Sequence, residues 1–245
     1  MIGKFFQPKA AAAEAPDGER VYAIGDIHGC ARLLDALLAK INADAGGAKR
    51  RLVFLGDYVD RGADSKGVID RLLTLGAQEP DTIFLKGNHE QAILAFLEDP
   101  GRNEDWLHWG GDKTLESYGV ADIWSKTPDR LASELKERMP HAHVEFIEKL
   151  ERWRILGDYA FVHAGFRPGV PLPDQTEEDC LWIRGEFHNA APEGRPKETV
   201  VHGHHPVKKP QDLGWRIAVD TGAVWSDALT AVVLEGTARR FISTR

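Results

Sequence analysis

In this sequence, carboxylate, amide and imidazole side chains recur each time an apolar run ends. Asp26 and His28 stand in "GDIHG", Asp57, Asp60 and Arg61 in "GDYVDRG", Asn88 and His89 in "GNHE", His163 in "HAG" and His204 in "HGHH". Oxygen and imidazole donors suit Mn²⁺, iron or Zn²⁺, and the absence of thiolates argues against a closed structural zinc site. Charge at the mouth of a buried strand is costly unless a counter-charge sits there, so this density points to bound cations. Two cations about 3.5–4 Å apart can share one carboxylate and a water, bringing the water's pKa from about 15.7 towards about 7. Such cations can neutralise the oxygens of a phosphate, and planar arginines can engage the remaining ones in bidentate fashion. A leaving alkoxide still needs a proton, and His89, with a carboxylate such as Asp60 to favour its charged form, is placed to give it.

Such donors converge only if the chain brings its strand ends together. "RVYAIGDIHGC" is followed by "ARLLDALLAKI", with Leu33, Leu34, Leu37, Leu38 and Ile41 at helical spacing; "RRLVFLGDYVDRG" is followed by "VIDRLLTL", and "DTIFLKGNHE" by "QAILAFLE". Three strand–loop–helix units imply parallel connections, with the polar loops at the carboxyl ends of neighbouring strands. From about 99 to 157 the pattern is helical, which predicts an inserted cap whose Trp106, Trp109 and Trp124 form its own small core. Strands return at "YAFVHAG", "TVVHGHHP", "RIAVDTG" and "LTAVVLEG", predicting a second sheet. Residues 1–19 read as a flexible tail and 20–245 as one domain.

The chain has 245 residues, 42% of them hydrophobic and 28% charged, the balance of a soluble globular protein. A formal net charge of −7 lacks the basic excess that nucleic acid requires. Cys30 and Cys180 form no C-x-x-C pair, which fits a reducing cytoplasm, and no run is long and apolar enough to span a membrane.

The motifs GDxHG, GDxVDRG, GNHE, HAG and GH occur in an order that resembles the metal-dependent phosphoprotein phosphatases (PPP) among the calcineurin-like metallophosphoesterases, especially their bacterial and phage members. The resemblance implies a four-layer α/β/β/α sandwich with two mixed sheets. It implies two divalent metal ions, Mn²⁺ first with iron or zinc as alternatives, one held by Asp26 and His28, the other by Asn88, His163 and His204, and both by Asp57. It makes Asp60 the partner of His89, and makes Arg61, Asn88 and Arg184 of "LWIRGEF" phosphate-binding. The implied reaction is dephosphorylation of phosphoserine or phosphothreonine proteins by direct attack of a metal-bound hydroxide, without a phosphoenzyme. A small phosphoester is the other substrate open to such a centre, and the sequence leaves oligomeric state undecided.

Spacing alone does not choose between His202 and His204, and the resemblance selects His204. A nucleotide hydrolase of the symmetrical diadenosine tetraphosphatase kind is the alternative. Its relatives carry motifs closer to GDLVARG and GNHD, so Asp60 and Glu90 count against it. An inactive metal-binding scaffold would show missing ligands, and none is missing. Arg184 is also open to a stacking role beside its tryptophan, and His108, His141, His143 and His188 read as surface or packing residues.

Overall fold

In the computed structural model, which describes residues 12–245, the apolar runs pair into two sheets that carry their polar loops along one edge. In the first, β1 (Glu19–Ile24), β2 (Lys49–Phe54) and β3 (Ile83–Phe84) run parallel. Antiparallel β9 (Thr230–Glu235) and β10 (Ala238–Ser243) extend it, in the order β10-β9-β1-β2-β3. The second has the order β4-β5-β6-β8-β7, built from β4 (Trp153–Leu156), β5 (Tyr159–Val162), β6 (Thr199–His202), β7 (Gln211–Asp212) and β8 (Arg216–Ala218), with β5, β6 and β8 parallel.

In the inner strands side chains alternate between two covered faces, which is why those strands read as continuous apolar runs. Val21, Ala23, Val53 and Leu55 of the first sheet pack on Tyr159, Phe161, Val201 and Ile217 of the second. Their neighbours Tyr22, Ile24, Leu52 and Phe54 face the other way, onto α1 (Ala31–Ala45) and α2 (Ser65–Gln78), through Leu34, Leu37, Val68 and Leu72. Ala160, Val162 and Val200 turn outward onto Cys180, Leu181 and Phe187. The result is the expected α/β/β/α sandwich. Each fully buried large aliphatic or aromatic side chain contributes about 1.5–3 kcal/mol, so the two inner faces lock the sheets at the register that aligns their loop ends.

Between α3 (Asn88–Glu98) and β4 the chain is helical: a π-helical turn (Leu107–Gly111), α4 (Asp112–Ser117), α5 (Pro128–Arg138) and α6 (His141–Glu148). Thr127 caps α5 by accepting the Arg130 N–H, and Pro128 supplies its first residue. The expected tryptophan core is only partly correct. Trp106 is buried, but Trp109 is 43% and Trp124 63% exposed.

Most of the expected flexible tail, 1–19, lies outside the described residues. Its described part is attached to the sandwich, because the Ala15 N–H donates to Gly236 O and the Tyr159 hydroxyl to Ala13 O. No described helix is long and apolar enough to cross a membrane.

Candidate metal centre

The carboxyl ends of β1, β2, β5, β6 and β8 and the first turn of α3 meet along one edge. Seven non-glycine residues among those described have positive φ, and five of them lie here: His28, Asp57, Asp60, Arg61 and His204. Left-handed backbone costs about 1–3 kcal/mol per non-glycine residue and persists only where the surroundings enforce it, as they do in functional loops. Two glycines are required by close approach. A Cβ on Gly87 would overlap the Asp57 carboxylate, and one on Gly203 would overlap that of Asp26.

Asp57 stands in the middle. Its Oδ1 is 3.5 Å from His163 Nε2, and its Oδ2 is 3.4 Å from His28 Nε2 and 4.0 Å from His89 Nε2. Burial opposes its charge, but the imidazoles of His163, His89, His28 and His204 favour it and hold the carboxyl well below the usual range. On the Oδ1 side, His163 donates from Nδ1 to Leu55 O at 2.9 Å, which leaves Nε2 with a bare lone pair. That lone pair is 3.0 Å from Asn88 Oδ1 and 3.1 Å from His204 Nδ1, which are themselves 2.9 Å apart. Burial pushes both imidazoles down, His204 to about 2, so both are neutral near pH 7. Four acceptor atoms therefore share at most one proton, on His204 Nδ1. The donor set of a cation is present.

On the Oδ2 side, His28 donates from Nδ1 to Val59 O at 2.8 Å, so its Nε2 also presents a lone pair, and burial lowers its pKa to about 3. Arg61 Nη1 occupies that lone pair at 2.6 Å while Nη2 lies 2.8 Å from His89 Nε2. The single lone pair of His28 can serve the guanidinium or a cation, not both, so a cation would free that arm of Arg61 for an anion. Asp26 lies behind this group, with its carboxylate accepting the His204 N–H at 3.0 Å. Burial and the neighbouring Asp220 and Asp57 raise its pKa well above the carboxylate range. Asp220 itself, at the end of β8, is pushed up to about 6 by burial.

His89 donates from Nδ1 to Asp60 Oδ2 at 2.6 Å. Burial disfavours its charge, yet Asp57 and Asp60 outweigh burial and raise its pKa, the direction a proton donor needs. His202 ends β6 and is held by Arg216 Nη1 at 3.1 Å, whereas His204 lies past the strand with φ 60°. The left-handed turn breaks the alternation that would have put both imidazoles on one face. Arg184 is exposed at the start of the short helix α8 (Gly185–His188), close enough to depress the His163 and His204 imidazoles after burial has done so.

A sequence profile of the calcineurin-like phosphoesterases matches residues 19–228. The chain belongs to the calcineurin-like phosphoesterase family. It is 30% identical, over 85% of its length and 88% of the relative's, to a bis(5'-nucleosyl)-tetraphosphatase PrpE (asymmetrical) of Anoxybacillus flavithermus. It is 27% identical over similar shares to the protein of that name from Oceanobacillus iheyensis. Among solved structures, a putative diadenosine tetraphosphatase superposes with a TM-score of 0.63 over 95% of this chain and 98% of its own, at 24% identity. A cold-active protein-tyrosine phosphatase of a psychrophilic Shewanella has the same fold, with a TM-score of 0.55 over 93% and 83% at 17% identity.

The phosphoesterase contains supporting contacts that motif reading did not supply. The buried Glu90 carboxylate accepts the N–H groups of Asp57 at 2.8 Å, Tyr58 at 2.7 Å and Gly87 at 2.9 Å, tying the second and third loops together. Asp60 is held from the insertion: Trp106 Nε1 donates to its Oδ2 at 2.8 Å and Thr114 Oγ1 to its Oδ1 at 2.6 Å. The helical insertion thus aims the partner of His89. A glutamate at the third position of a helix and an aspartate in "DTG" are common in helix starts and turns, so only the tertiary structure marks Glu90 and Asp220.

Proposed function

We propose that this phosphoesterase is a two-metal phosphohydrolase, and the observation that carries the reading is the crowding of bare lone pairs around Asp57. Asp57 is the shared ligand, Asp26 and His28 complete one site, and Asn88, His163 and His204 complete the other. Mn²⁺ is the first candidate, with iron or zinc as alternatives. When bound, the two ions would supply Lewis acidity and bring a water near neutral pKa. Arg61, Arg184 and Asn88 hold the oxygens of the scissile phosphate. His89 gives its proton to the leaving oxygen, with Asp60 holding the imidazole by Nδ1. Free Cys30 and Cys180, whose thiols burial pushes up to about 11 and about 12, take no part and fit a reducing cytoplasm.

For the substrate, a dinucleoside polyphosphate comes first. The relatives named as tetraphosphatases support it, and so does the indole of Trp225, which lies against Arg61 and could stack on a base. The Arg61 guanidinium lies 5.3 Å from the Trp225 ring centroid and donates from Nε to Trp109 O at 3.4 Å. Phosphoserine or phosphothreonine protein is the second reading, favoured by Asp60 and Glu90 in GDxVDRG and GNHE. A screen of diadenosine tetraphosphate, phosphopeptides and p-nitrophenyl phosphate, with Mn²⁺ and with chelator, tests both. Turnover that survives exhaustive chelation would reject the two-metal reading, and a preference for phosphopeptides would reverse the order of substrates.

A further inference from the structure

The charge of this acidic chain is unevenly distributed. Next to the His204 side of the centre stand Arg184, His188, His205 and Arg216, and none of them is paired with a carboxylate among the described residues. Of the carboxylates near them in sequence, Glu186 is engaged with Arg167 at 2.8 Å and Asp212 with Arg239 at 3.0 Å, and Asp220 lies in the metal centre. His205, His188 and Arg216 form a row joined through side chains, and Arg184 stands one helical turn before it. Arg184 begins α8 and its carbonyl accepts the His188 N–H at 3.0 Å. The His188 ring centroid is 4.6 Å from that of exposed His205, which follows His204, and 5.5 Å from that of His202, on which Arg216 rests. His188 Nε2 and Arg216 Nε have no hydrogen-bond partner. Burial, with Arg216, His205 and Arg184 nearby, pushes His188 down to about 4, so near neutrality this imidazole contributes a donor and the arginines the charge.

An uncompensated cationic row beside a phosphate site attracts further anionic charge. We propose that His188, His205 and Arg216, which continue from Arg184 at the scissile phosphate, form a subsite for the phosphates adjoining it, so that the substrate is a phosphoanhydride chain. This rests on the two-metal reading above. In the reaction, a water oxygen joins the phosphorus at the centre while the bridging P–O bond breaks. Its electron pair stays with the leaving phosphate, and a proton neutralises the leaving oxygen. A serine phosphate ends at a carbon, and offers the row nothing beyond the ester.

The test compares inorganic tripolyphosphate with p-nitrophenyl phosphate as substrates of the Mn²⁺-loaded protein, in the wild type, Arg216→Gln, the exposed-site variant His205→Asn and the double variant. The ratio of kcat/KM for tripolyphosphate to that for p-nitrophenyl phosphate should fall at least about tenfold in the double variant. Calorimetry on the chelator-treated protein should show tripolyphosphate binding more tightly than orthophosphate, with that preference reduced by a similar factor. Equal losses for both substrates, which leave the ratio unchanged, would overturn the subsite. If the wild type hydrolyses neither compound, the two-metal reading fails instead, and the chelated-protein binding preference still decides the row.

Discussion

The two ends of the centre meet at Asp57 but are built from opposite materials. One end gathers carboxylates: Asp26 and Asp220 lie buried there, with burial raising both, Asp220 and Asp57 adding to the rise at Asp26, and Asp57 to that at Asp220. The other gathers neutral groups, Asn88, His163 and His204, whose imidazoles burial keeps unprotonated. The acidic end stores repulsion that a cation relieves, and in its absence protons relieve it. The imidazole end stores no charge, only lone pairs aimed at one point. Protons therefore compete with metal at the first end and hardly at the second.

Removing the shared residue should abolish the distinction. Asp57→Asn is expected to lose both ions by elemental analysis and more than about 10⁴-fold in kcat/KM, since each ion contributes several kcal/mol to the transition state. Retention of one tightly held ion would show that the ends are independent rather than bridged.

His89 sharpens the comparison, because it stands at the acidic end without being assigned to metal. His89→Asn should slow substrates with poor leaving groups by about 10²–10⁴-fold and p-nitrophenyl phosphate much less, with metal content unchanged. Its raised pKa fixes the sign of the pH effect: the protonated acid is present below that value, and the rate for poor leaving groups falls as pH rises through it. Asp60→Asn removes a carboxylate that favours the charged imidazole, so this alkaline limb should move to lower pH. A limb that stays in place would detach Asp60 from the proton donor.

Asp220→Asn tests one end alone. Metal affinity at the acidic end should drop about 10–100-fold, the usual cost of losing a residue that supports a ligand, while the imidazole end holds its ion. Equal weakening of both sites would contradict the division. The smallest effect is expected for Thr114→Val, which deprives Asp60 Oδ1 of its 2.6 Å donor. A loss of about 1 kcal/mol, or about fivefold in the rate for poor leaving groups, is the size of one such hydrogen bond. No loss would make the insertion a bystander.

The sandwich was legible because its inner strands are covered on both faces, and the candidate donors because each of those apolar runs ends in a polar motif whose residue types already name a chemistry. What was not legible depends on contacts distant in sequence. Trp106 and Thr114 reach Asp60 across 46 and 54 residues, and no periodicity announces that an inserted helical segment will point at the loop after β2. The same limit explains the tryptophans. Trp106 turns inward because its indole N–H has Asp60 to bond, whereas Trp109 packs edge-on to Trp182 beside the centre with its other side exposed. His202 and His204 could not be separated by alternation, since the strand ends between them.

The central claim, one centre with two unlike metal sites, is tested most directly by calorimetric titration of the chelated protein with Mn²⁺ at about pH 7.5 and again at about pH 5.5, either side of the Asp220 pKa of about 6. Two ions should bind at the higher pH. At the lower pH the acidic site should weaken steeply, because Asp26 and Asp220 take up protons, while the imidazole site keeps its affinity. A single ion at the higher pH, or two sites that weaken together as the pH falls, would contradict the account.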